Sequence, residues 1–376
     1  MNTESRRFIS KLLIFVTPIF LVFLIPFVVL YKAGELSTSK SIVLRQTESK
    51  KAFLVGMAYG NAYKYYKITN LLERKSPDVI ALGTSRTLQF RKEFFKKNVK
   101  FYNAGLGVAR LEGFRPFLKR IPAGSEPKLI VIGLDQNFFN KRWVDYKQDN
   151  IDAQLDSDLS PAQKFFDNWL QVYKDYFAGK LRLSGIFHKK RASEIEKIGV
   201  LAVLKDEGFR NDGSYRYNDD KTTRMAKIKE ALESLNTGGG VFTYGRGISG
   251  ASIKELAAIL DECGKRGIYV IGFLPPYPHK IYKKMQNMKS AYRYVFELKG
   301  QLQPIFVEHG FGFFDVSDLR ELGASDSEAL DGYHASEKAY LRLLIQMAKK
   351  NKVLRAFVNI EYLEARLKKT PAEGGI

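Results

Sequence analysis

The chain has 376 residues, 45% hydrophobic and 27% charged, with a single cysteine. These proportions are globular and exclude a disordered or collagen-like chain, Cys263 alone excludes a disulfide-stapled scaffold, and a mean hydropathy of −0.24 excludes a multi-span membrane protein. Lys and Arg number 61 against 40 Asp and Glu, a net charge of +21 that suits phospholipid headgroups, an acidic glycan or nucleic acid, or merely a solvated basic face.

Residues 12–31 carry no charge and are almost all apolar. At about 1.5 Å per residue the run is about 30 Å long, the thickness of a hydrocarbon core. Arg6, Arg7 and Lys11 precede it, and Pro18 and Pro26 interrupt it, which membrane helices tolerate. A cleaved signal peptide has a shorter apolar core, and Lys32-Ala33-Gly34-Glu35 is a poor cleavage site. The expectation is a cytoplasmic tail and single-pass anchor over 1–33, with the bulk of the chain outside the cytoplasm. Lys32, Lys40, Arg45, Lys50 and Lys51 on the far flank blur the charge bias.

Residues 34–76 read as a stalk and an approach helix. Five short apolar runs follow, at 78–83, 99–103, 129–134, 268–274 and 311–316. Such runs suit strands buried on both faces. Helical patterns at 111–119, 252–266, 281–309 and 336–350 alternate with them. That rhythm predicts a doubly wound α/β domain with a parallel sheet over 77–369. Residues 140–250 break the rhythm with amphipathic patterns at 161–177 and 222–235, and read as a helical insertion. Residues 370–376 read as a frayed tail.

In such a sheet, ligands bind beyond the carboxyl ends of the strands. The first strand ends in Gly83-Thr84-Ser85-Arg86, which puts a hydroxyl at that edge, either as a nucleophile or as a helix cap. After the fifth strand comes Leu330-Asp331-Gly332-Tyr333-His334. An Asp three residues before a His accepts a hydrogen bond from the imidazole and fixes its tautomer, freeing the other nitrogen to activate a hydroxyl. The alternative for His334 is a capping surface histidine. His279, after Pro275-Pro276-Tyr277-Pro278, is a candidate substrate contact. His188 reads as part of a solvated basic face, and His309 as a helix end.

No His/Cys cluster has metal spacing, and no glycine loop has the phosphate-cradling pattern. Gly105-Leu106-Gly107 lacks the third glycine of a dinucleotide fingerprint. No metal or cofactor is expected. No basic–aromatic module points to nucleic acid, so that partner is not expected either.

Four segments, Gly83-Thr84-Ser85, Asn103-Ala104-Gly105, Gly133-Leu134-Asp135-Gln136-Asn137 and Asp331-Gly332-Tyr333-His334, resemble the ordered blocks of the SGNH (GDSL-type) hydrolase superfamily. The resemblance covers 78–350 apart from the insertion. It implies a flavodoxin-like sheet that hydrolyses or transfers acyl esters. Ser85 would be the nucleophile, His334 the general base and Asp331 its orienting group. The N–H groups of Ser85 and Gly105 would form part of the oxyanion hole. Asp135 stands where the third block has its Asn donor, so Asn137 would replace that donor, and Arg86 or Arg110 would supply positive charge. Arg86, Asp135 and His279 are the expected substrate contacts.

With one anchor, the chain looks like the envelope members of that superfamily, such as the membrane-anchored protein of teichoic-acid D-alanylation and the polysaccharide O-acetylation proteins. The implied function is a serine esterase or O-acyltransferase acting on an ester of an anionic envelope glycan or lipid. A membrane acyltransferase would be its partner. The alternative is a catalytically silent anchored scaffold that binds a partner enzyme or polysaccharide, and Asp135 favours it.

Overall fold

The structure, a computed structural model, describes residues 3–49, 51–60, 62–74, 76–144, 151–187, 194–218 and 221–370. It divides into two compact units, Met1–Ala62 with Asp158–Asn211, and Tyr63–Ser157 with Asp212–Ile376. In chain order the strands are β1 (Ala52–Val55), β2 (Val79–Gly83), β3 (Phe101–Gly105), β4 (Leu129–Gly133), β5 (Ile195–Ile198), β6 (Gly208–Phe209), β7 (Tyr215–Arg216), β8 (Tyr269–Leu274) and β9 (Gly312–Asp315).

The second unit is built on a parallel sheet in the order β3-β2-β4-β8-β9. Side chains alternate between its faces, and both faces are covered. Ile80 and Leu82 of β2 and Ile130 and Ile132 of β4 enter one core. Phe114, Phe117, Leu256, Leu260, Leu298 and Leu302 close that core from the helices Phe114–Lys119, Gly250–Lys265 and Arg293–Glu308. Val79, Ala81, Leu129 and Val131 enter the opposite core, closed by Leu341, Leu344 and Met347 of the helix Glu337–Lys350. This double burial is why the strands read as unbroken apolar runs, each large side chain contributing about 1.5–3 kcal/mol. The five expected runs correspond to β2, β3, β4, β8 and β9. The chain leaves β2 for β3 on one side and later fills β4 on the other, so the strand order reverses between β2 and β4.

The helices differ in detail. The pattern at 111–119 opens with a tighter turn, Leu111–Gly113, before its α-helix. The pattern at 281–309 is two helices, His279–Asn287 and Arg293–Glu308. The chain turns between them because Tyr292 and Tyr294 are drawn into a cluster with Phe242, Tyr277 and Met285. His309 caps the end of the second helix.

In the first unit, Thr3–Ala33 is one helix, long and apolar enough to cross a membrane. The stretch read as a stalk holds β1, which pairs in parallel with β5 and meets β6 at Val55 and Phe209. The segment read as a helical insertion therefore also contains strands. Glu35 locks this region. Its carboxylate accepts N–H groups from Ala58 (2.8 Å), Tyr59 (3.1 Å) and Val200 (2.7 Å), while burial raises its pKa. His188 and residues 371–376 lie outside the described residues.

Candidate active site

The carboxyl ends of β2, β3 and β4 each close in glycine. A Cβ on Gly83, Gly105 or Gly133 would lie 2.6, 2.7 or 2.3 Å from the Thr87 side chain. These glycines let the short helical turn Ser85–Thr87 cross directly over the sheet edge. Thr84 caps that turn, its hydroxyl accepting the Arg86 N–H at 3.2 Å. Asn103 pins it from β3. Its Nδ2 donates to the carbonyls of Thr87 (2.9 Å) and Phe90 (2.8 Å), and its Oδ1 accepts the Gly105 N–H at 2.8 Å.

The loop after β9 delivers the other half of the site. Leu330 N–H donates to the His334 carbonyl at 2.8 Å, and Ser336 caps the helix Glu337–Lys350. One Asp331 oxygen accepts the N–H groups of Tyr333 and His334, both at 2.7 Å, and the other lies 2.9 Å from His334 Nδ1. With Nδ1–H committed to Asp331, His334 Nε2 is an acceptor, and Ser85 Oγ lies 2.8 Å from it. The structure thus brings together Ser85, His334 and Asp331 from segments 249 residues apart, beside the reversal of strand order. Ser85 and His334 are half-buried, open enough for a substrate to reach.

Burial pushes the Asp331 carboxyl up, but the hydrogen bond and charge of His334 and the two backbone N–H groups outweigh it and hold it at about 2. A depressed carboxyl stabilises the fold in its ionised form. That stability is full above about pH 4 and is lost as pH falls through about 2, and the drop from 3.8 to about 2 is worth about 2 kcal/mol. Asp331→Asn is expected to melt below wild type near neutral pH, with the gap closing as the pH approaches 2. Thermal unfolding across that range checks this, and a gap independent of pH would contradict it.

Behind the triad lies a buried charged cluster. Arg86 donates from Nη1 to Gln136 Oε1 (2.7 Å) and from Nη2 to the Pro275 carbonyl (2.8 Å). Its guanidinium sits 4.4 Å from the ring centres of both Tyr277 and Tyr333. One Asp135 oxygen accepts the hydroxyls of Thr84 (2.8 Å) and Tyr333 (3.0 Å), while the other is buried with no hydrogen-bond partner among the described residues. Burial raises the Asp135 pKa against the opposing pull of Arg86 and the two hydroxyls. Burial also lifts the Tyr277 hydroxyl to about 12, so it stays neutral. Thr84 adjoins Ser85 and Tyr333 adjoins His334, so Asp135 straps the nucleophile turn to the histidine loop.

Several expected roles change. Arg86 and Asp135 are each only 2% exposed, and their bonds are to the protein, so neither is placed to touch substrate. The Gly105 N–H, expected in the oxyanion hole, is taken by Asn103. The Ser85 N–H meets no acceptor among the described residues. Asn137 is buried in the turn after β4, its side-chain oxygen without a hydrogen-bond partner among the described residues. His279 pairs through Nδ1 with Asp318 (2.9 Å) and through its N–H with Asp326 (2.5 Å), not with Ser85 or His334.

Thr84, Asn103, Gln136, Tyr277 and Tyr333 were not expected as site residues. For Thr84 and Tyr333 the available signal was adjacency to Ser85 and His334. Among the described residues no group of three or more His, Cys, Asp or Glu is placed to hold a metal. No known protein family, curated protein or solved structure matches this chain.

Proposed function

We propose that this chain is a membrane-anchored serine esterase or O-acyltransferase of the SGNH (GDSL-type) hydrolase kind. The observation that carries the reading is the relay Ser85 Oγ–His334 Nε2–Asp331, with links of 2.8 and 2.9 Å. As Ser85 Oγ attacks the acyl carbonyl, its proton passes to His334 Nε2, and Asp331 stabilises the imidazolium. The tetrahedral oxyanion is received by the Ser85 N–H. His334 then protonates the departing alkoxide, which leaves an acyl-serine. Water or a sugar hydroxyl, deprotonated by His334, attacks that intermediate and regenerates Ser85.

Counting the sheet's own strands in chain order, β3-β2-β4-β8-β9 is 2-1-3-4-5, which supports a flavodoxin-like arrangement. The helix Thr3–Ala33 supports a single-pass anchor, and Arg6, Arg7 and Lys11 before its apolar run support placing the rest of the chain outside the cytoplasm. The charge of +21 supports an anionic envelope glycan or lipid as substrate, with a membrane acyltransferase as the partner that supplies acyl groups in the transfer reaction.

A fluorophosphonate probe tests the proposal on the full-length protein in detergent. Wild type is expected to gain one probe mass on the peptide containing Ser85, and Ser85→Ala none. A folded wild type that takes no probe would overturn the enzyme reading. That result would favour a silent scaffold, a reading supported by the engagement of the Gly105 N–H.

A further inference from the structure

The helix Pro161–Phe177 packs across the second half of the apolar helix Thr3–Ala33. Trp169 lies on Phe23 (ring centres 4.7 Å apart) and Phe165 on Phe27 (5.7 Å). Val172 and Leu181 share a core with Val29, Leu30 and Ala33. Pro26 has no N–H to offer the Val22 carbonyl four residues back, and the Tyr173 hydroxyl takes that place at 2.8 Å. Buried Lys164 holds the Ser37 carbonyl at 2.6 Å, fixing the same helix to the chain beyond the anchor.

This packing collides with the length a membrane requires. Residues 12–22, the part of the apolar run whose residues are all exposed, cover only about 16 Å of a hydrocarbon core about 30 Å thick. Extending toward the N-terminus brings in Lys11, Arg7 and Arg6. The apolar run spans only if its packed part is immersed too, and the helix Pro161–Phe177 goes with it.

The outward side of that helix fits this position. Phe166 (65% exposed), Leu170 (50%) and Phe177 (80%) fall at helical spacing on one face, and Gln163, Asp167, Gln171 and Lys174 on another. A helix against water would not keep three large apolar side chains bare in a row. Exposed Lys174, Lys180 and Arg182 follow near its end, suited to lipid phosphates.

We propose that Pro161–Phe177 is an interfacial helix whose Phe166–Leu170–Phe177 face contacts acyl chains in the leaflet at the C-terminal end of Thr3–Ala33. This rests on the anchor reading of Thr3–Ala33 and is independent of the triad.

The test uses the full chain in phosphatidylcholine–phosphatidylglycerol vesicles brominated within the acyl chains. Three single-tryptophan proteins are compared. Trp143→Phe leaves the native Trp169, and adding Trp169→Phe allows either Phe177→Trp or Phe15→Trp. Bromine is expected to remove about half or more of the emission of all three. Quenching at position 15 without quenching at 169 and 177 would overturn this proposal and leave the anchor standing. In that case, cross-linking through position 177 to a second copy would identify another occupant of the face. No quenching at any position would overturn the anchor as well.

Discussion

Ser85→Ala and His334→Ala are each expected to lower kcat for hydrolysis of an activated ester such as p-nitrophenyl acetate by about 10⁶-fold, and Asp331→Asn by about 10⁴-fold. The two larger losses follow from one step. Without Oγ no acyl-enzyme forms, and without Nε2, 2.8 Å from it, Oγ remains a neutral alcohol. Asp331 acts through His334, holding Nδ1–H at 2.9 Å so that Nε2 faces the serine. Asparagine in its place offers an amide that competes for the wrong tautomer, but leaves the nucleophile and base present. Because the groups work as a unit, the double variant Ser85→Ala/His334→Ala should fall no further than either single variant. Multiplicative losses would mean that the two residues act in separate steps. KM should hardly move, since none of the three changes removes a buried apolar contact. A Ser85→Ala protein that hydrolyses the ester at the wild-type rate would end the catalytic account.

Ser85 and His334 could be read from the sequence because each sits in a local pattern: a hydroxyl after an apolar run ending in Gly83, and a His three residues after an Asp in a loop. Such patterns report strand period, turn chemistry and helix caps within about a dozen residues. The doubly covered sheet was legible for the same reason, since β2, β4 and β8 are unbroken apolar runs. The pairing of β1 with β5 was not. Two four-residue strands more than a hundred residues apart leave no periodic signal, and only their tertiary registry, Ala52 against Ile195 through Val55 against Ile198, defines them. The roles of Arg86 and Asp135 were misread for a related reason. A charge beside a nucleophile reads as a substrate contact, yet Gln136, the Pro275–Tyr277 stretch and Tyr333 come from three separate segments to enclose the guanidinium. Gly105 carried the same ambiguity, because nothing local showed that the Asn103 side chain would turn back onto its N–H.

Arg86→Ala is expected to destabilise the second unit by about 3–5 kcal/mol, the cost of leaving a buried charge without its partner. The substitution removes hydrogen bonds to Gln136 and Pro275 and the stacking on two tyrosines. It also leaves the Asp135 carboxylate to the hydroxyls of Thr84 and Tyr333 alone. Burial already raises the Asp135 pKa, and Arg86 is the largest influence pulling it down, so without Arg86 it rises further. A carboxyl raised by folding favours the fold while protonated, so this contribution is present at low pH and is lost as pH rises through its folded pKa. The Arg86→Ala deficit should therefore widen from about pH 4 toward neutrality, the same direction as the Asp331→Asn gap although the two carboxyls are shifted in opposite directions. Replacing both partners with apolar groups, Arg86→Met with Asp135→Leu, removes the uncompensated charge and should recover much of the loss. Recovery of stability need not restore catalysis, because Asp135 also ties Thr84 beside the nucleophile to Tyr333 beside the base. Urea unfolding followed at Trp143 in a Trp169→Phe background reads this unit by itself. A single variant that loses less than about 1 kcal/mol, or a double variant no more stable than Arg86→Ala, would show that the two charges are not coupled.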